Sequence, residues 1–316
     1  MTRRRSRTRA APIRRWSATV PASTSNLGPG FDCLGLALRL PMVAVARRIP
    51  EGFRIERRGE GSDLLFDPHR DPVLSSFRAA CRLAGAPVPT VALTVRSRIP
   101  VARGLGSSAA AIVAGLTLAN HWLGGRFATA ELFREAVRIE GHPDNVAAAL
   151  YGGFVLSLPR EDRGFEPLRL PPPRGIAMTL VIPEIRISTA KARSILPKTV
   201  SLASAAQNTA RALALLHSLT TGRVDLLSDA LRDVYHVPHR ARLIAGFDAV
   251  AAAGRRAGAI GVTISGSGPT VIALHKRGAG AGVGAAMVRA FARAGVRASA
   301  IPGRVAARGA VSRTLG

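Results

Sequence analysis

The segment Pro100-Val-Ala-Arg-Gly-Leu-Gly-Ser-Ser-Ala-Ala constrains this chain more than any other. An alternating run at residues 91–95 precedes it with the period of a strand, and a long run of small and apolar residues, 109–123, follows it. Asn120 and His121 interrupt that run too early for a membrane span, so it reads as a buried helix stopped by Gly124-Gly125. Strand and helix are therefore joined by a short loop holding Gly104, Leu105 and Gly106, then Ser107 and Ser108. Glycines let the main chain approach an oxyanion closely, and a helix start offers unpaired N–H groups at the positive end of the helix dipole. Together they make a phosphate cradle, in which Ser108 can place a hydroxyl on a magnesium ion beside the phosphates. The Gly-Lys-Ser/Thr of a Walker loop is absent. A capped helix start with no ligand is the plain alternative for this segment alone.

Three other segments carry more polar groups than an ordinary loop needs. Glu140-Gly-His142-Pro-Asp144-Asn145 gathers two carboxylates and an imidazole at the start of a predicted helix, 143–150. Such a group can hold magnesium through one carboxylate and a polar substrate with the rest. The alternative is that Asp144 and Asn145 only cap the helix. Ser265-Gly-Ser267-Gly268-Pro-Thr270 lies between apolar runs and reads as a tight turn joining two strands. Either it is a plain turn, or its small residues let the main chain press against a ligand. Pro21-Ala-Ser-Thr-Ser-Asn26-Leu-Gly-Pro-Gly-Phe-Asp32 follows a short strand at 17–20. Its carboxylate can pair with a substrate ammonium, or the loop is an ordinary Asx-type turn.

A chain of 316 residues with 47% hydrophobic content can bury one large or two medium cores. With only 4% aromatics, those cores must be aliphatic. Strand patterns occur at 34–40, 42–48, 53–57, 154–158 and 176–182. Helical patterns occur at 73–83, 129–139 with Thr129 as N-cap, 201–219 and 282–294. Strands and helices alternate in both halves, which predicts an α+β or α/β chain of two domains. The Pro- and charge-rich stretch 159–173 is the expected boundary, giving domains at 16–160 and 161–316 after an Arg-rich, disordered tail at 1–15.

The formal net charge of +26 invites a nucleic-acid reading. Yet the excess is arginine scattered along the chain, with one cluster at Arg3, Arg4, Arg5, Arg7 and Arg9 and lysines only at 191, 198 and 276. Neither a zinc-finger spacing nor an RNP-like aromatic strand accompanies it, so a coding preference for arginine accounts for most of the charge. A tail that binds polyanions is the remaining alternative. Cys33 and Cys81 form no disulfide framework and no metal spacing, and read as small buried residues. With no stretch of ~18 apolar residues and no apolar segment after the basic start, the expectation is a cytoplasmic protein without a membrane segment.

In order and content the four segments resemble the GHMP kinases, named for galactokinase, homoserine kinase, mevalonate kinase and phosphomevalonate kinase. The loop from Pro100 and Arg103 through Gly104, Leu105, Gly106, Ser107, Ser108 and Ala109 is similar to that family's ATP-phosphate motif, and Ser265 to Thr270 to its C-terminal glycine motif. Pro21 to Asp32, Glu140 to Asn145, Ser188-Thr-Ala-Lys-Ala-Arg193 and Pro238-His-Arg240 resemble the members that phosphorylate homoserine. The resemblance implies ATP as phosphate donor, Mg2+, and L-homoserine as the small-molecule substrate, with no nucleic-acid or membrane partner. A homodimer is common in such enzymes, although nothing in this sequence marks one. It implies that Asn26 and Asp32 bind the amino-acid part, that His142 and Asp144 sit near the reacting end, and that Arg193 and Arg240 hold the carboxylate or the transferred phosphoryl. Ser108 and Glu140 are the implied magnesium pair, with Glu135 in reserve, and Asn145, Ser267 and Gly268 support the site. Asp144 is expected to position first and act as a base second. The implied fold is α+β, a ribosomal-protein-like N-terminal domain and a ferredoxin-like C-terminal domain. Another GHMP kinase, acting on mevalonate or a sugar, and a polyanion-binding protein without catalysis are the rival readings. The sequence departs from the pattern at Ala148, where the family has proline, and at 66–76, which lacks the expected adenine-loop asparagine.

Overall fold

The computed structural model describes residues 15–64, 67, 70–162 and 164–315. The arginine cluster expected to form a tail lies outside them, while Arg15 already belongs to the first strand. That strand, β1 (Arg15–Asn26), runs antiparallel to β2 (Gly30–Arg48) over nearly its whole length. The sequence pattern ends β1 at Pro21 and splits β2 near Pro41, because proline cannot donate to a ladder. The structure instead sets Pro21 opposite Pro41, with a register shift between Pro21 and Ala22. Facing prolines confine the missing donors to one rung, so both strands continue.

The length of β2 lets it serve two neighbours. β3 (Phe53–Gly59) pairs in parallel with β4 (Val91–Ser97), and β4 pairs with residues 42–48 of β2. β5 (Phe154–Arg160) pairs with residues 34–36, and β6 (Gly164–Leu170) with β5. The stretch read as a domain boundary is thus largely a hairpin on the first sheet. β6 pairs only with β5, and an edge strand tolerates proline. A second, antiparallel sheet holds β7 (Ile176–Pro183), β8 (Ala259–Ile264), β9 (Val271–Lys276) and β10 (Ala298–Pro302) in the order β10-β7-β9-β8. The chain then returns as β11 (Val311–Leu315) to pair with β1, so the first sheet draws on both ends of the described chain.

Helices α1 (Pro72–Leu83), α2 (Ser107–Trp122), α3 (Thr129–Glu140) and α4 (Asp144–Tyr151) belong to the first half. Every residue of α2 from 109 to 119 is buried, as expected of a helix apolar on all sides. Its small residues admit close neighbours: a Cβ at Gly115 would stand 2.1 Å from the Val73 carbonyl of α1. α3 begins at Thr129, but Ala128 is the capping residue, and the Glu131 carboxylate accepts its N–H at 2.8 Å. Between β7 and β8 lie α5 (Thr189–Ser194), α6 (Leu202–Thr221), α7 (Leu227–Ala230), α8 (Val237–Arg240) and α9 (Phe247–Arg256). α9 and α10 (Gly280–Arg293) share an apolar cluster with Val181, Ile264 and Val271 of the second sheet. Alternate residues of that sheet, Leu180, Ile272 and Leu274, join the larger cluster that holds Leu36 and Leu38 of β2 and Leu215 and Leu219 of α6. The result is an α+β chain of two sheets joined through a common core. No helix among the described residues is long and apolar enough to cross a membrane.

Candidate active site

The polar end of β1 is the hub of the site. Ser23, Thr24 and Ser25 are fully buried and have no apolar side chain to contribute, so their hydroxyls must be satisfied by neighbours. The Ser23 hydroxyl donates to Asn145 Oδ1 at 2.8 Å, and Asn145 Nδ2 donates to Ser25 Oγ at 2.8 Å. Ser265 Oγ donates to the Gly104 carbonyl at 2.6 Å and lies 2.8 Å from Thr24 Oγ1. Asn26 Nδ2 donates to the Gly266 carbonyl at 3.0 Å, while its Oδ1 accepts the Asp32 N–H at 2.9 Å. All four segments singled out in the sequence are thereby tied to one strand. They surround a cleft of about 310 Å³.

At one side of this cleft α2 starts with Gly106 as its capping residue, at φ 69°, and no side chain satisfies its first N–H groups. Gly104 also lies in the left-handed region, at φ 72°. A Cβ on Gly104 would stand 2.2 Å from the Ser265 carbonyl, and one on Gly106 would stand 2.0 Å from Ser23 Oγ. Glycine is required twice here, by conformation and by space. The uncapped helix start opens into the cleft beside Ser107, Ser108 and Arg103. One guanidinium nitrogen of Arg103, Nη1, is buried without a hydrogen-bond partner. Such a donor is costly to leave unmade unless a ligand completes it. The Ser108 hydroxyl donates to Glu140 Oε2 at 2.7 Å. Burial pushes the Glu140 carboxyl up, Asp144 adds to that, and the Ser108 bond, His142 and Arg193 oppose it.

His142 turns Nδ1 toward Asp144, donating to Oδ1 at 2.7 Å, and its Nε2 lies 3.8 Å from Glu140. Asp144 Oδ1 also accepts the Asn145 N–H at 2.7 Å. Burial alone would raise the Asp144 carboxyl, but the bond and charge of His142, together with Ser25 and the Asn145 N–H, outweigh it and hold the group below the usual carboxylate range. Burial likewise opposes the charged form of His142, and Asp144 and Glu140 overcome it, so the imidazole is raised above its ordinary value.

Opposite stand two arginines. Arg193 on α5 makes a two-pronged pair with Asp32, Nη1 to Oδ2 at 2.9 Å and Nη2 to Oδ1 at 2.7 Å. Arg240 on α8 is 2% exposed and makes no ion pair with a carboxylate among the described residues. Its partners are neutral: the Ala192 carbonyl from Nε at 3.2 Å, the Gly266 carbonyl from Nη1 at 3.0 Å, and His236. Burial, with Arg193 adding to it, pulls Arg240 down to about 10, which leaves it charged at neutral pH. Both guanidinium groups lie over the Phe31 ring, at 5.7 and 5.4 Å from its centre. Cys33 sits beside them, its thiol pushed up to about 11 by burial and by Asp144 and Asp32, as befits an inert residue.

Of the residues singled out in the sequence, Asn26, Asp32, Glu140, His142, Asp144, Asn145, Arg193, Arg240 and Ser267 face the cleft together with the loop from Arg103 to Ser108. Pro100, Ala109 and Gly268 do not line it. Ala109 lies inside α2 with no exposure, and Gly268 packs against Gly104, its N–H donating to the Ser265 carbonyl at 2.8 Å. Glu135, the reserve carboxylate, is bound to its own helix neighbour Arg138 at 2.7 Å. The far end of the cleft lies largely outside the four sequence motifs. There Leu64, Pro72 and Val101 line the cleft, with Arg57 paired to Asp71, the residue that caps α1. The serines of β1 were visible as a run of small polar residues, but only the partners across the fold give them a purpose.

Comparison with known proteins places the chain in a family. The family models for the N-terminal and C-terminal domains of GHMP kinases match residues 73–153 and 212–294. The homoserine kinase of Carboxydothermus hydrogenoformans is 39% identical over 292 residues, covering 92% of this chain and 95% of that protein. That of Moorella thermoacetica is 44% identical over 280 residues, with coverage of 88% and 93%. The crystal structure of homoserine kinase from Cytophaga hutchinsonii superposes with a TM-score of 0.85 at 30% identity, covering 96% of this chain and 98% of that one. Lactococcus lactis galactokinase, at 14% identity and a TM-score of 0.70 over 94% of this chain and 95% of that one, shares the fold.

Proposed function

This chain belongs to the GHMP kinase family, alongside its homoserine kinases, and we infer that it transfers the γ-phosphoryl group of ATP to the side-chain hydroxyl of L-homoserine, giving O-phospho-L-homoserine and ADP. The observation that carries this reading is the composition of a single cleft. An uncapped, glycine-lined helix start faces Asp32, Arg193 and a buried Arg240 that has no carboxylate partner among the described residues. A triphosphate suits the first, and a zwitterionic amino acid, which needs both a carboxylate and arginines, suits the second. The same reading puts the enzyme in the cytoplasm, where ATP is supplied.

Each residue then has a task. The N–H groups at the start of α2, Ser107 and Arg103 receive the triphosphate, and the apolar end at Leu64, Pro72 and Val101 receives adenine. Asp32 takes the substrate ammonium, with Asn26 holding the Asp32 main chain, and Arg193 and Arg240 take its carboxylate or the transferring phosphoryl. The hydroxyl and carboxylate of Ser108 and Glu140, 2.7 Å apart beside the phosphate cradle, are hard oxygen donors that fit a magnesium ion. Among the described residues no group of three metal-ligating side chains occurs. When bound, magnesium neutralises charge on the β- and γ-phosphates.

Phosphoryl transfer asks the protein mainly for position and charge. The homoserine oxygen bonds to the γ-phosphorus as the bond to the β–γ bridging oxygen breaks, and the hydroxyl proton passes to an oxygen of the transferred phosphoryl and from there to solvent. Asp144 is a poor base, since two donors occupy one oxygen and its proton affinity is lowered. It orients His142, whose Nε2 faces Glu140 and the cleft and can donate to an oxygen of the reacting group. An ADP-release assay with magnesium-ATP and L-homoserine, with mevalonate, galactose, L-serine and L-threonine as competitors, tests the reading. Selective turnover of homoserine is expected. Turnover of a competitor alone would keep the ATP site and overturn the substrate assignment.

A further inference from the structure

His236 belongs to none of the four motifs, yet it is wholly buried beside Arg240. It caps α8 and stands one helical turn before Arg240, and the Asp233 carboxylate fixes that turn by accepting the His236 and Val237 N–H groups at 2.7 Å each. Both imidazole nitrogens have partners from different parts of the fold. Nε2 lies 2.9 Å from the Gly28 carbonyl in the β1–β2 loop, and Nδ1 lies 3.2 Å from Arg240 Nη1. A carbonyl can only accept and a guanidinium can only donate. The ring must therefore carry its proton on Nε2 and present a lone pair at Nδ1. Phe31, which lies under both arginines, has its ring centre 5.4 Å from that of His236.

The choice of an imidazole here has a physical reason. A carboxylate in its place would orient Arg240 and also neutralise it. A neutral imidazole orients the guanidinium and leaves its charge available to an incoming anion. The charged groups facing the ring are Arg240 on α8, Asp233 just before it and Asp32 in the substrate loop. Asp233 Oδ2 stays 3.8 Å from Nε2, and burial holds the ring in its neutral form.

We propose that His236 is a positioning residue for the substrate: its neutral Nε2–H tautomer aims Arg240 into the cleft and ties that arginine to the loop that carries Asn26 and Asp32. The proposal rests on the reading of Arg240 as a ligand of an anionic substrate group. Two conservative variants separate its two bonds. In His236→Asn the amide oxygen falls near the Nδ1 position and keeps an acceptor for Arg240; in His236→Gln the amide nitrogen falls near Nε2 and keeps only the Gly28 bond. The expected result is a homoserine KM raised about tenfold or more in His236→Gln and His236→Leu, restored to within about threefold in His236→Asn, with ATP KM within about twofold throughout. Equal effects of Asn and Gln, or parallel rises in both KM values, would overturn it. Nitrogen-15 NMR of the wild-type imidazole is a readout independent of substrate and of variant folding. It should show Nε2 protonated and Nδ1 bare at pH 7, and a charged ring or the other tautomer sinks the proposal. A wild type that ignores homoserine but shows this tautomer would overturn the substrate assignment and leave the positioning role standing.

Discussion

Replacing Asp144 by asparagine separates positioning from proton abstraction. Asp144 Oδ1 accepts from His142 Nδ1 and from the Asn145 N–H, both at 2.7 Å. An amide oxygen can accept both bonds, so the geometry survives and only the charge is lost. A hydrogen bond involving a charged group contributes about 1.5–3 kcal/mol and a neutral one about 0.5–1.5 kcal/mol. The difference, about 1–1.5 kcal/mol, corresponds to a fall in kcat/KM of about 5- to 13-fold. Removal of an obligatory general base would cost about 100- to 10,000-fold. Steady-state ADP release with purified Asp144→Asn, beside a thermal melt to establish folding, decides between them. A loss beyond about 100-fold in a normally folded variant would refute the positioning argument. The stability cost has its own pH signature. The His142 value is raised, so its share is complete below the ordinary histidine value and is lost as pH rises through the folded value. The Asp144 value is lowered, so its share is complete above the ordinary carboxylate value and is lost as pH falls through the folded one. The melting deficit of the variant should be greatest between these limits and shrink on both sides.

Gly106→Ala forces a Cβ to 2.0 Å from Ser23 Oγ at a φ of 69°. Overpacking of about 1–3 kcal/mol and a left-handed residue costing about 1–2 kcal/mol should lower the urea midpoint and raise ATP KM about tenfold; an unchanged ATP KM would dismiss the phosphate cradle. Arg240→Lys keeps the charge but cannot reach the Ala192 and Gly266 carbonyls and His236 at once, so homoserine KM should rise about tenfold while ATP KM holds; full activity would show that the fork is dispensable. Burial lowers the His236 value, so the stability it confers is complete above the ordinary histidine value and drains away as pH falls below it. The melting temperature of the wild type should therefore drop more between pH 7 and 5.5 than that of His236→Asn, and parallel curves would count against a buried neutral ring.

The glycine loop and the helix it opens were legible because their evidence is local: two glycines and an apolar run within one short stretch. The α+β class followed from periodicity in the same way. Less local features were not legible. Pro21 and Pro41 each look like a strand break, and only their meeting across the ladder makes both tolerable. The stretch 159–173 has the composition of a linker, and its role as a hairpin depends on β5 being present to pair with it. In the site, Arg240 was found through the resemblance, but nothing in its neighbourhood in sequence foretold a buried cation served by two carbonyls and an imidazole. Glu135 and Glu140 look alike as carboxylates near the end of one helix. The fold separates them by facing one to Arg138 and the other to Ser108.

β11 closes the first sheet by pairing Arg15 with Leu315 and Thr19 with Val311. During synthesis, β1 leaves the ribosome long before its outer neighbour exists. At about 5–20 residues per second the interval is roughly 15–60 s. For that time the nascent chain presents an unpaired edge leading directly into the serines that organise the site, and such an edge is a template for wrong pairing. β11 therefore joins β1 only after almost all of the intervening chain has been made. Loss of Val311–Leu315 would leave the residues that line the cleft in place and the first strand open to other chains.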